Sequence, residues 1–270
     1  MKKPKWAIEK ERAKRAAAAA TLWLFGLHAV RDALANPARE KLRLVVTKNA
    51  LDRLGGAVAA SGLEPEVVDA RRFPAPIDPA SVHQGAALEV KPLNWGSLEE
   101  RCAGTEGRAA VEQAAVGRAP VVVLLDRVSD PHNVGAILRS AEVFGARAVI
   151  APARHSAPET GALAKAASGA LERQPYLRVG NLAEAMGRLR DMGYVLLGLD
   201  GEAGQTLEEG LAGAAGRPVG LVLGAEGPGL RRKSRETCDA LIRIPAFSGF
   251  GSLNVSNAAA VALYAAARRS

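Results

Sequence analysis

Three short stretches hold the side chains of this 270-residue sequence that could do chemistry together. Asn133 and Arg139 follow a continuous apolar run at 121–125. Glu226 is enclosed by glycines in Gly224-Ala225-Glu226-Gly227-Pro228-Gly229. Ser252 and Asn254 follow Pro245 across a loop containing Gly249 and Gly251. A carboxylate set between glycines can accept hydrogen bonds from a ligand or from backbone N–H groups, or it can simply cap the helix that follows. Arg139 lies off the apolar stripe of its helix. It is either a solvated charge or a guanidinium aimed across strand ends at an anionic substrate. Asn133 could be a plain helix cap. The run Arg231-Arg232-Lys233-Ser234-Arg235 is either a solvated face or a grip on phosphates. The spacing of Gly224, Gly227 and Gly229 does not fit the dinucleotide loop, no Gly-Lys pair offers a Walker-type phosphate loop, and no nucleophile elbow is present.

Each stretch follows a strand-like run. The runs at 121–125, 148–150, 194–199, 219–223 and 240–244 are short and continuously apolar, as in a parallel sheet covered on both faces. Between them the pattern predicts helices at 133–144, 182–192 and 231–237. The first carries Val134, Ile137, Leu138, Ala141 and Phe144 on one stripe. Pro245 ends the last strand, and Ser252 and Asn254 are capping-type residues for a final helix rich in alanine, including Ala258. Open α/β sheets place ligands at the carboxyl ends of their strands, and all three stretches fall there.

Upstream, alternating patterns over residues 21–96 predict a small α/β domain, with helices at 27–34 and 50–60 and strands at 42–47, 67–68 and 86–90. Residues 97–119 have little periodicity and read as a linker, leaving 120–270 as the larger domain. Residues 1–20 form a basic arm: +5 of the net +8 falls within residues 1–16, which suits either a polyanion contact or a solvated, disordered terminus. No stretch has the roughly 18 apolar residues of a membrane helix, so no membrane association is expected. Cys102 and Cys238 stand alone and the four histidines are scattered, which predicts no metal site and a cytoplasmic setting.

Taken together, the motifs resemble a known family. Asp130-Pro131-His132-Asn133-Val134-Gly135-Ala136-Ile137-Leu138-Arg139-Ser140-Ala141 is similar to the first motif of the SpoU/TrmH RNA ribose 2′-O-methyltransferases. Leu223-Gly224-Ala225-Glu226-Gly227-Pro228-Gly229-Leu230 resembles the second, and Ile244-Pro245 with Ser252-Leu253-Asn254-Val255-Ser256-Asn257-Ala258 the third. Residues 25–30 and 83–90 are similar to the ends of the small RNA-binding domain of a subset of the family, closest to the members that methylate a guanosine of 23S rRNA. The resemblance implies an α/β knot in the C-terminal domain, S-adenosylmethionine as methyl donor, structured RNA as substrate, and a homodimer formed through that domain. It implies a catalytic set of Asn133, Arg139, Glu226, Ser252 and Asn254. It implies cofactor contacts at Gly224, Glu226, Gly227, Ile244, Pro245, Leu253, Asn254 and Ala258. The loop 246–251 departs from the family pattern. A tRNA substrate is the alternative within the family, and a catalytically inactive RNA-binding module the alternative outside it. An ordinary guanidinium is a poor base, so Arg139 is either a perturbed base or a phosphate clamp.

Overall fold

The computed structural model describes residues 21–78, 81–103, 118–246 and 253–269. The basic arm at 1–20, most of the loop 246–251 and Ser252 lie outside them. The chain forms two compact units.

The first unit runs to Asn94 and also takes in Glu159–Glu172. Its sheet has the order β1 (Leu22–Phe25), β4 (Ala86–Val90), β2 (Lys41–Val46), β3 (Pro65–Val67), with antiparallel pairs except β2–β3. Helices α1 (Leu27–Ala35) and α2 (Lys48–Ser61) pack together, and the Thr47 side chain caps α2. Sequence patterning found these helices and β2 to β4 but not β1, a four-residue run with no room to show alternation. Helix α5 (Gly161–Ala167), from far along the chain, lies on β1. It approaches so closely that a Cβ on Gly161 would stand 2.3 Å from the Trp23 carbonyl oxygen.

A buried charge cluster ties this segment into the unit. The Arg39 side chain is fully buried and donates two hydrogen bonds to Glu172, at 3.0 and 2.7 Å. It donates others to Glu159 and to the Lys91 carbonyl, at 2.7 and 2.8 Å. Burial opposes the Arg39 charge, but the two carboxylates more than offset it and hold its pKa above the ordinary value. Burial also pushes the Glu159 carboxyl up, with Arg39 acting against it.

The second unit is built on a sheet whose strands are all parallel. Its order is β7 (Tyr176–Val179), β6 (Ala148–Pro152), β5 (Val121–Asp126), β10 (Val219–Gly224), β8 (Val195–Leu199), β11 (Ala240–Arg243), β9 (Gln205–Thr206). The α/β class and the covered parallel sheet agree with the sequence pattern, and β5 is buried along its whole length. Helix α4 (Pro131–Val143) and the C-terminal helix α9 (Val255–Arg268) pack on each other, and α9 also packs on β5 and β10.

Part of the expected linker is a correction. Leu98–Cys102 is a helix, α3, closed by a capping box between Ser97 and Glu100. Leu98 and Cys102 are buried in the core beside Leu182, Leu189 and Tyr194. Five residues are too few to show a helical period, which hid this element. Strand β7, helix α7 (Leu207–Gly213) and the two-residue β9 were unreadable for the same reason. Among the described residues no helix is long and apolar enough to cross a membrane.

Candidate active site at the strand ends

Strand order creates the site. From β5 the chain builds outward to β6 and β7, and later returns to place β10 against the other side of β5. This reversal is the position at which open α/β sheets form a crevice beyond their carboxyl ends. In register, Asp126 at the end of β5 pairs with Gly224 at the end of β10.

Glu226 sits in the loop after β10. The loop folds sharply back: Gly229 N–H donates to the Ala225 carbonyl at 2.9 Å, and Ala225 and Gly229 form an isolated bridge. Gly224 permits this, because a Cβ there would lie 2.1 Å from the Gly229 carbonyl carbon and 2.3 Å from the Leu230 nitrogen. Gly227 and Gly229 adopt φ of +84° and +67°, which side-chain-bearing residues rarely take.

Three of the expected residues meet. Glu226 Oε1 accepts from Asn133 Nδ2 at 3.1 Å and from Asn254 Nδ2 at 2.5 Å, with Val255 N–H at 3.5 Å. Asn254 Nδ2 also donates to Asn133 Oδ1 at 3.0 Å. Asn254 is at the same time the cap of α9, its Oδ1 accepting from Ser256 N–H at 2.8 Å and from the Ser256 hydroxyl at 2.5 Å. Asn133 is not a cap: Asp130 fills that position and Pro131 opens the helix, so the Asn133 amide is free to reach across. Glu226 likewise does not cap the following helix, whose cap position is Arg231.

The other expected members take no part in these side-chain hydrogen bonds. Arg139 is exposed on α4, roughly 120° around the helix from Asn133. It makes no hydrogen bond or ion pair with these three residues. Ile244 and Pro245 follow β11, whose last paired residue is Arg243, and Leu253 is half exposed just before the α9 cap. Ala258 lies in the first turn of α9, its N–H donating to the Asn254 carbonyl at 2.9 Å. Ser252 lies outside the described residues.

Sequence reading passed over one residue, Asp126. Its side chain is fully buried, yet it ends an otherwise apolar strand. It accepts from the Arg231 backbone N–H at 2.9 Å and from Arg231 Nε at 2.6 Å. The signal was present: a carboxylate closing the run Val-Val-Val-Leu-Leu is costly to bury unless it is paired.

The residues also test the fit of a methyl donor. Within the Asn133–Glu226–Asn254 cluster the carboxylate supplies the one formal charge, and its bonds there come from neutral donors, which suits a cationic sulfonium nearby. Gly227 has open space around it, and Leu253 offers exposed apolar surface at the same strand ends. Among the described residues no group of His, Cys, Asp and Glu is placed to hold a metal ion.

Comparison with known proteins bears on these features. The family model described as "SpoU rRNA Methylase family" matches residues 120–264, and one described as "RNA 2'-O ribose methyltransferase substrate binding" matches residues 23–96. The sequence is 36% identical to the 23S rRNA (guanosine-2'-O-)-methyltransferase RlmB of Vibrio vulnificus, over 92% of this chain and 96% of that protein. It is 39% identical to the protein of the same name from Ralstonia nicotianae, over 91% and 95%. In structure it is similar to the SpoU methyltransferase AviRb from Streptomyces viridochromogenes in complex with the cofactor AdoMet. The TM-score is 0.74 at 23% identity, over 94% of this chain and 92% of that one.

Proposed function

Because the chain belongs to the SpoU rRNA methylase family, we propose that it methylates the ribose 2′-OH of a guanosine in 23S rRNA, with S-adenosylmethionine as methyl donor. The observation that carries this reading is the convergence of Asn133, Glu226 and Asn254, from three motifs, on the crevice between β5 and β10. A substrate-binding match over residues 23–96 supports RNA, and the relatives' names favour rRNA over tRNA.

When bound, S-adenosylmethionine supplies an electrophilic methyl on a sulfonium. Gly224, Gly227, Ile244, Pro245, Leu253 and Ala258 would hold it, largely through backbone, together with Glu226 and Asn254. Asn133 and Asn254 fix the Glu226 carboxylate, so that the pocket is set before substrate arrives and little reorganisation is needed at the moment of reaction. Arg139 then acts as a phosphate clamp: an exposed guanidinium suits an RNA phosphate better than it suits proton abstraction. Ser252, outside the described residues, is the remaining member of the catalytic set that the family motifs imply. The threading of the C-terminal chain that the family motifs imply accords with α9 returning to pack on β5, β10 and α4.

The working form is a homodimer joined through the second unit. Val143 on α4 is 70% exposed, and Val261 and Tyr264 on α9 are 41% and 51% exposed. The Phe144 and Tyr264 rings touch edge to face at 5.9 Å, joining the two helices into one apolar face that a second copy would cover. Arg139 is one turn from Val143 and so borders that face. The setting is the cytoplasm, where the rRNA substrate and reducing conditions for two free thiols coincide.

The test is incubation of the purified protein with unmodified 23S rRNA and methyl-labelled S-adenosylmethionine, followed by primer extension at limiting dNTP. A single new stop at a guanosine is expected. Label entering tRNA in place of 23S rRNA would overturn the substrate, and failure to bind S-adenosylmethionine in a calorimetric titration would overturn the activity.

A further inference from the structure

We infer that Asp126 is a positioning residue for the reaction, holding both ends of the loop that presents Glu226. The inference rests on the methyltransferase reading for its catalytic consequence, but the geometry stands by itself. The loop begins at Gly224, which pairs in register with Asp126 through the backbone. It ends at Arg231, whose N–H and Nε both donate to the Asp126 carboxylate, at 2.9 and 2.6 Å and to separate oxygens. One residue therefore fixes both ends of a six-residue turn, and Glu226 is the second residue within it. The turn has little slack, because Gly224 lies against the Gly229 backbone and Gly229 N–H is bonded to the Ala225 carbonyl. A shift of Arg231 is transmitted to Glu226, and Glu226 is where Asn133 and Asn254 converge.

The burial of Asp126 fits this role. A carboxylate at 0% exposure is costly without compensation, while its partner side chain is 43% exposed. A surface arginine does not need a buried acid to satisfy it; the closure of the turn does. Burial pushes the Cys238 thiol up to about 12, so no thiolate forms nearby to repel the carboxylate.

Asp126→Asn keeps the shape but replaces one acceptor by a donor, setting it against an Arg231 N–H. The full-length variant should lose roughly 100-fold in kcat, with KM for RNA within about threefold, as a small displacement of a positioned group does. Combined with Glu226→Gln, the losses should fall well short of multiplying, because both act on one group. Amide hydrogen exchange should accelerate at 225–231 with the rest of the sheet unchanged, a readout that needs no activity. Arg231→Ala, which keeps the backbone bond, should shift the same amides by less and serves if Asp126→Asn does not fold. Near-normal kcat in Asp126→Asn, independent multiplication of the two losses, or unchanged exchange at 225–231 in both variants would overturn the assignment. A wild-type protein without methyltransferase activity would overturn the catalytic consequence and leave the exchange result to decide the loop.

Discussion

At the scale of single residues, the site concentrates its contacts on one oxygen. Glu226 Oε1 faces the amides of Asn133 and Asn254 and lies within reach of Val255 N–H, while Asn254 also caps α9. Asn254→Ala should therefore cost about 1 kcal/mol of stability through the lost cap. It should cost methylation far more, since Glu226 is released as well; urea unfolding and turnover measured side by side would separate the two. Arg139 has no such internal task. Arg139→Ala should abolish methylation while the melting temperature and the sedimentation behaviour stay unchanged, and near-normal turnover would remove it from the site.

The two thiols behave alike. Burial raises Cys102 and Cys238 to about 12. A raised folded-state value means the thiol form is favoured in the fold. The associated stability is complete below the unfolded value near 9 and is lost as pH rises from there toward about 12. At pH 8 both thiols should resist iodoacetamide in the native protein and react after unfolding.

At the scale of elements, the glycines decide what can close. Gly224 has no room for a Cβ against the Gly229 and Leu230 backbone. Gly224→Ala should open the turn and abolish S-adenosylmethionine binding in calorimetry, with the sheet preserved by circular dichroism. Periodicity exposed α4, α6 (Leu182–Asp191) and the long apolar strands, because each spans enough residues to display a 3.6-residue stripe or a continuous buried run. It did not expose α3, α5 or β9. These have five, seven and two residues, and their place is set by what they pack on rather than by their own pattern.

At the scale of the whole molecule, the first unit is not closed in sequence. Its core includes Glu159–Glu172, and its buried Arg39 is neutralised by Glu159 and Glu172. Breaking a buried pair by removing one partner typically costs about 3–5 kcal/mol. A fragment of residues 21–96 would carry Arg39 into its interior without either carboxylate. It should unfold at much lower urea than the same unit in the full chain, and a well-folded fragment would show that the cluster contributes little. The same scale holds the proposed dimer: Tyr264→Glu should yield a monomer in sedimentation and lower methylation with it.

By itself the sequence determined the α/β class, the parallel and covered nature of the larger sheet, and the three motifs from which the site is drawn. These follow from local period, from continuous apolar runs, and from residue types at fixed spacing. Tertiary structure alone decided which of those residues meet. Asn133 lies 93 residues from Glu226 and 121 from Asn254, and they come together because β10 inserts beside β5. No local pattern encodes that insertion. It likewise decided that Asn133 is free of capping, that Asp126 faces Arg231 across 105 residues, and that Glu159 and Glu172 complete the unit containing Arg39. Each depends on which polar or charged group meets which partner once the strands have been ordered, and that order is a property of the assembled sheet.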